Sequence, residues 1–181
     1  MRGLRKYLTP FAPDQSGAVS VLYELGGIIV ICDAGGCTGN VCGFDEPRWF
    51  ERKSAVFSAG LRDMDAILGR DDRLVAKLVD AADKIDANFA AIVGPPVPAV
   101  IGTDYQALKR MCEKKTDLPI LAIDTDGMEL YDKGEEKAYL ALFTAFAKEK
   151  YEVCKEKVGI LGMTPQDVSD LKAADKVREE L

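Results

Sequence analysis

Short apolar runs alternate with amphipathic segments along the chain. Four of the runs predict strands, at residues 27–32, 53–57, 89–94 and 119–124. Residues 71–85 repeat apolar side chains at helical spacing, with two aspartates in the first turn. Strands separated by helices of this length indicate βαβ units. We therefore expect an α/β fold, a Rossmann-like three-layer α/β/α domain with a mainly parallel sheet.

The remaining segments predict further helices and a division of the chain into a main domain and a C-terminal unit. Further helices are expected at residues 17–25, with Ser16 as N-cap, and at 103–114 and 134–155, with a stiff proline loop at 95–98. A last strand at 158–163 and a helix starting at Thr164-Pro165 follow. We predict a main domain over residues 1–157. Residues 158–181 form a βα unit that either opens a further domain or is a terminal unit.

Composition excludes several classes of function. Net charge is −6, with acidic and basic residues interleaved, so the chain does not look like a nucleic-acid binder. No apolar run is long enough for a membrane helix, and no signal peptide is recognisable, so a cytoplasmic location is expected. The sequence contains no histidine, which excludes Ser-His-Asp and Cys-His catalysis and every histidine-bound metal site.

Three of the five cysteines are close together in the sequence. Cys32, Cys37 and Cys42 form a C-x4-C-x4-C pattern, and Gly35 and Gly36 precede the middle one. The glycines allow a bulky ligand to approach the backbone, and a helix beginning at Cys37 would lower the pKa of its thiol. Thiolates are the usual ligands of iron–sulfur clusters. Gly35, Gly36 and Gly39 could instead form a loop for an anion or a plain tight turn, and Cys32 could be packed as a small apolar residue.

Several further residues could serve a functional or a purely structural role. Asp124, Asp126 and Glu129 follow a strand, where they could bind a cation or act as acid and base, or simply cap a loop. Glu135 belongs to a helix face that we expect to be solvated. Trp49, the single tryptophan, is either an interface anchor or a core residue.

Four segments, in order, resemble one known family. They are residues 58–74, Val-Ile-Gly-Thr-Asp at 100–104, the strand and loop at 120–127, and Gly-Ile-Leu-Gly-Met-Thr-Pro at 159–165. Together they resemble the nitrogenase component 1-type oxidoreductases, and specifically the N-terminal domain of a nitrogenase molybdenum-iron protein-like subunit. The resemblance extends over nearly the whole chain.

The resemblance implies a function and partners. Members are α/β subunits of several Rossmann-like domains that form homo- or hetero-oligomers with a related subunit. They hold a metallocluster between subunits and receive electrons from an ATP-dependent iron–sulfur reductase. The resemblance therefore implies electron transfer through an iron–sulfur cluster at a subunit interface.

The resemblance also implies a ligand set, from which this sequence departs. Three cysteines of the first domain hold the interface cluster in the family. Cys37 occupies the second of these positions, but Pro13 and Pro96 occupy the first and third, so two of the three cysteines are absent. Asp14, Cys32 and Cys42 are candidate replacements, because some relatives use a carboxylate ligand. The alternatives are a cluster-free scaffold or dimer partner, and a domain that binds a small molecule at its strand-end loops.

Overall fold

The architecture is a four-stranded sheet surrounded by helices. A computed structural model describes residues 12–52, 54–149, 154, 156–168 and 171–181. The strands are β1 (Gly27–Ile31), β2 (Ala55–Ser58), β3 (Phe89–Val93) and β4 (Ile120–Ile123). The helices are α1 (Asp14–Leu22), α2 (Gly36–Asn40), α3 (Asp63–Leu68), α4 (Asp71–Ala82), α5 (Pro96–Ile101), α6 (Tyr105–Glu113), α7 (Tyr131–Phe146) and α8 (Ala173–Glu180). A π-helical turn (Val41–Asp45) and a 3-10 helix (Pro47–Phe50) follow α2.

The sheet is parallel throughout and has the strand order β2-β1-β3-β4. Every residue of β1 and β3, the two central strands, is buried. Near-continuous apolar strands are typical of parallel sheets covered on both faces. The predicted parallel α/β fold is confirmed.

Alternating side chains divide the core into two layers. Ile29 and Ile31 of β1 point toward α1 and α7, whereas Ile28 and Val30 point toward α4 and α6. We call these the α1/α7 core and the α4/α6 core. The three-layer arrangement follows directly, because each face of the sheet is covered by helices.

Helix α1 is buried along its whole length against α7. A Cβ atom added to Gly17 would overlap the carbonyl oxygen of Tyr131, and one added to Gly134 would overlap that of Asp14. The backbones of the two helices therefore touch at a crossing lined by glycine. Pro13 is the N-cap of α1, so the prediction of Ser16 as N-cap is wrong. The hydroxyl of Ser16 instead donates a hydrogen bond to Asp45.

Four predicted segments differ from the structure. The proline loop contains α5, because Pro96 at the first helical position has no amide to satisfy and a suitable φ. Residues 158–163 form no strand, since no described strand lies beside them to pair with, and the helix expected from residue 164 begins at Ala173. Helix α7 ends at Phe146. Residues 53, 150–153 and 155 of the predicted elements lie outside the described residues.

None of the described helices combines the length and the apolar character needed to cross a lipid bilayer.

Candidate functional site

The loops that follow the parallel strands converge at one edge of the sheet, which we call the carboxyl edge. They comprise residues 32–45 after β1, residues 59–62 and α3 after β2, α5 after β3, and residues 124–130 after β4. Ligands of open α/β sheets usually bind at this edge. Cys37, Cys42 and the carboxylates that follow β4 therefore belong to loops at this edge.

Asp33 fixes the loop that carries the cysteines. Its carboxylate, buried at 2% exposure, accepts hydrogen bonds from the amide of Thr38 at 2.7 Å, the hydroxyl of Thr38 at 2.9 Å and the hydroxyl of Ser58 at 2.6 Å. These bonds tie the start of α2 to the end of β2. The neighbouring Cys37 is thereby held at the carboxyl edge.

Cys37 is partly buried and packs against the α1/α7 core from its rim. Gly35 has a φ of 117°, a conformation that favours glycine, and a Cβ added to Gly35 or Gly36 would meet no described atom within 4 Å. The backbone beside the thiol is therefore open to a large ligand or another chain, as the sequence predicts.

The predicted lowering of the Cys37 pKa is wrong. Partial burial raises the pKa of this thiol, and the negative charge of Asp33 raises it further. Helix α2 has five residues, so its dipole is weak, and the carboxylate of Asp33 accepts a hydrogen bond from the amide of Thr38 in its first turn. Cys37 is thus a protonated thiol at neutral pH unless a metal or a cation displaces the proton.

The other two cysteines of the pattern lie in different surroundings. Cys42, in the π-helical turn, is partly buried on the α1/α7 core, and burial followed by the charges of Glu46 and Asp33 raises its pKa. Cys32 is 1% exposed and belongs to the α4/α6 core, where burial raises its pKa strongly. The sheet therefore separates Cys32 from Cys37.

Asp14 has an internal structural role. Its carboxylate is fully buried and accepts hydrogen bonds from the amides of Gln15 at 2.9 Å, Asp126 at 3.0 Å and Gly127 at 2.7 Å. Burial raises its pKa and these backbone bonds lower it, with a net increase. Its oxygens are already engaged in holding the loop after β4 against α1.

The two prolines that replace family cysteines lie beside that same loop. Pro13 pairs with Leu130 through an antiparallel bridge, and the ring of Pro96 is a close neighbour of Gly127. Both positions are thus at the carboxyl edge. Neither side chain has an atom that can bind a metal.

The predicted ligands do not form one metal site in this chain. Cys37 and Cys42 share a core face, Cys32 lies on the opposite face, and Asp14 is engaged by amides. Within the described ranges, no group of three or more cysteine and carboxylate side chains is placed to hold a metal ion. An iron–sulfur cluster usually takes four protein ligands, so the donor set does not fit a cluster held by this chain alone.

Besides Asp33, the sequence prediction lacks three buried carboxylates. Asp45 accepts from the hydroxyl of Ser16 and Glu46 from that of Ser20, both at 2.7 Å, and Glu135 is 8% exposed. The prediction that Glu135 belongs to a solvated face is wrong, because that face of α7 is covered. The sequence holds a signal for two of these carboxylates: Ser16 and Ser20 are four residues apart, on one side of a helix whose neighbouring residues are Ala18, Val19, Val21 and Leu22, so they need buried polar partners.

Two open interpretations are resolved by the contacts. Asp126 accepts from the amides of Met128 and Glu129, and Glu129 pairs with Lys137 at 2.8 Å, so these carboxylates organise the loop after β4. Trp49 is partly buried and packs against the α1/α7 core, which favours its core role.

Large apolar side chains are exposed around the carboxyl edge. Val100 is 86% exposed and Met128 is 77% exposed. Several exposed apolar side chains on neighbouring loops, unlike isolated ones, indicate a surface that binds another molecule. We define the carboxyl-edge surface by five of the exposed apolar residues of these loops, namely Met64, Ile67, Val100, Met128 and Leu130.

The comparisons with known proteins agree with this architecture. The model of the family Nitrogenase component 1 type Oxidoreductase matches residues 15–181. The chain belongs to this family. No curated protein matches the sequence.

Solved structures of nitrogenase chains share the fold of this family member. The chain of Nitrogenase Cp1 at pH 6.5 superposes with a TM-score of 0.74 at 18% identity, covering 99% of this chain and 37% of that one. The chain of Nitrogenase Cp1 at pH 5 gives a TM-score of 0.68 at 17% identity, with coverages of 86% and 34%. This chain therefore spans about a third of the length of the solved chains that it matches.

Proposed function

We propose that this chain acts as a domain of a nitrogenase component 1-type oxidoreductase subunit, and that it presents Cys37 to an iron–sulfur cluster completed by another chain. Members of the family typically bind such clusters. The observation that supports the proposal best is the partly exposed thiol of Cys37, held beside the open backbone of Gly35 and Gly36 at the carboxyl edge.

Cys42 is the second candidate ligand in this proposal. It lies on the same core face as Cys37 and is partly exposed. Cys32 and Asp14 stay predictions as ligands, and both would require rearrangement. Cys32 would have to leave the α4/α6 core, and Asp14 would have to leave three amide hydrogen bonds.

The carboxyl-edge surface supports pairing with a related subunit. Exposed apolar side chains at several neighbouring loops are typical of a protein–protein interface. Ligands from two chains would supply the number that this chain lacks, and burial between chains would shield the cluster from water. An ATP-dependent iron–sulfur reductase as electron donor, and a cytoplasmic location, remain parts of the proposal.

The direct experiment measures iron and sulfide after anaerobic purification of the chain, alone and with a related subunit. We expect bound iron and sulfide, with visible charge-transfer absorbance, in the mixture. Cys37→Ser should abolish both, whereas Cys154→Ser, a change at an exposed cysteine, should leave them unchanged. Equal iron in Cys37→Ser and in the unsubstituted chain would contradict the ligand assignment.

The cluster-free alternative has a specific observation in its favour. The two prolines and the amide-bound Asp14 leave no metal donors among the described side chains where the family's first and third cysteines would lie. In that case the chain is a scaffold or dimer partner. Absence of iron in both preparations, together with stable association of the two subunits, would establish this role instead.

A further inference from the structure

Residues 162–168 cross one face of the α/β domain as an irregular strap, which we call the C-terminal strap. The amide of Gly162 donates to the hydroxyl of Tyr139 at 3.0 Å, and the side-chain amide of Gln166 donates to the carbonyl of Asp45 at 3.2 Å. The strap is therefore anchored on α7 at one end and on the π-helical turn at the other.

The middle of the strap is inserted into a polar pocket on α7. Thr164 is 4% exposed, and its hydroxyl accepts from the phenol of Tyr131 at 2.8 Å and donates to the carboxylate of Asp167 at 2.9 Å. This arrangement orients Asp167 toward the helix. The carboxyl group of Glu135, on α7, lies beside Thr164 and Asp167 at the same place.

Glu135 is a buried carboxyl whose Oε1 atom has no hydrogen-bond partner among the described residues. Buried polar atoms are rarely left without a partner, and two carboxyl groups in contact satisfy each other when one carries a proton. Burial and, after it, the adjacent Asp167 together raise the pKa of Glu135 to about 7.

We propose that Glu135 and Asp167 form a pH-dependent latch, in which one shared proton holds the C-terminal strap on α7 and its loss releases the strap. The inference is independent of any cluster and of the proposed function. It concerns how residues 162–168 are held on α7.

The groups around Glu135 favour this behaviour. From the strap it faces Asp167 and the hydroxyl of Thr164, and from its own helix Asp132 and Tyr131. The element packed below is α1, which contributes the backbone of Gly17 there. The named charges are therefore negative, and an ionised Glu135 would be repelled by the strap.

The direction of the pH effect follows from linkage. The pKa of Glu135 in the docked state is about 7, above its ordinary value of 4.5, so the docked state binds the proton more tightly. The stabilisation of docking is complete below the ordinary value and is lost as the pH rises through about 7. Docking should therefore be stronger in mild acid than in mild base.

Hydrogen exchange of the full-length chain tests the latch. The amide of Gly162 donates across the contact to Tyr139 of α7, and the amides of Asp167 and Val168 donate to the carbonyl of the buried Thr164, so all three should be protected while the strap is docked. After correction for the intrinsic pH dependence of exchange, we expect their opening constant to rise about tenfold or more between about pH 5 and about pH 8. An opening constant that does not change with pH would overturn the proposal.

Two substitutions make the test specific. Glu135→Gln keeps the shape but does not titrate, so the strap should stay protected across the range. Asp167→Asn, at an exposed position, should also flatten the profile and serves if the buried variant folds poorly. Glu136→Gln, the adjacent exposed residue, is the matched control and should behave as the unsubstituted chain. A profile in Glu135→Gln or Asp167→Asn that equals the unsubstituted one would reject the latch.

Discussion

Cys32 and Cys37 are five residues apart but pack against opposite faces of the sheet. Cys32 lies in the core beneath α4 and α6, whereas Cys37 lies at the rim of the core beneath α1 and α7. The chain passes from one face to the other at the end of β1, where Asp33 fixes the turn. In this arrangement the sheet therefore keeps the three cysteines of this segment from coming together.

The first prediction concerns thiol reactivity. In the native chain, Cys37 and Cys42 should react with an alkylating reagent, whereas Cys32 and Cys112 should react after unfolding only, because they are buried. Burial and Asp33 raise the pKa of Cys37, so its alkylation should be slower than that of a free cysteine at neutral pH and should still increase above the ordinary thiol pKa. Mass spectrometry of labelled peptides measures this. Rapid native labelling of Cys32 would contradict the placement.

The second prediction concerns the crossing of α1 and α7. Gly134→Ala should lower the free energy of unfolding by about 2–3 kcal/mol, because its methyl group would overlap the backbone of Asp14. Gly17→Ala should behave similarly at the other side of the contact. Denaturant titration measures both.

Gly39→Ala is the matched control for these substitutions. Gly39 is also helical, but no described atom lies within 4 Å of its added Cβ, so stability should be unchanged or slightly higher. Equal losses at Gly39 and Gly134 would show that the close approach of α1 and α7 does not determine the effect.

The third prediction concerns the turn after β1. Asp33→Ala should lower the free energy of unfolding by about 2–4 kcal/mol, because the amide and hydroxyl of Thr38 and the hydroxyl of Ser58 lose a common acceptor. Amide exchange of residues 36–42 should accelerate. The exposed Asp86→Ala should change neither quantity, and an unchanged exchange rate in Asp33→Ala would contradict the role of Asp33.

Part of this structure is readable from the sequence because it depends on local pattern. The strands at residues 27–32, 89–94 and 119–124 were predicted within about two residues at each end, since buried parallel strands are continuous apolar runs. The position of Cys37 at a strand end follows from the same pattern. That Cys37 follows two glycines is also visible in the sequence itself.

The parts that were mispredicted depend on contacts distant in sequence. Glu135 looks like a solvated residue until Thr164 and Asp167 cover it. Residues 158–163 have a strand-like composition, but a strand forms where a neighbour can pair with it. The raised pKa of Cys37 depends on the direction of the Asp33 side chain, which no spacing rule specifies.

The fourth prediction concerns acid stability. Burial raises the pKa of Asp45 above its ordinary value of 3.8, although hydrogen bonds from Ser16 and Asn40 oppose the shift. The folded state thus binds the proton more tightly, and the stability linked to Asp45 is lost as the pH rises from 3.8 through the raised pKa. Relative to Asp45→Asn, the unsubstituted chain should therefore gain stability as the pH falls through this window. A constant difference across the pH range would contradict the raised pKa.

The last prediction concerns association through the carboxyl-edge surface. Val100→Ser and Met128→Ser each remove an exposed apolar side chain that makes little contribution to the core, so the free energy of unfolding should be unchanged. If the surface binds a related subunit, each change should weaken the complex by about 1–2 kcal/mol, since the lost apolar area is no longer buried on association. Sedimentation of the mixed subunits measures the dissociation constant. Leu140→Ser, on α7 outside this surface and also exposed, is the control, and weakening by Leu140→Ser alone would place the interface on the other side of the domain.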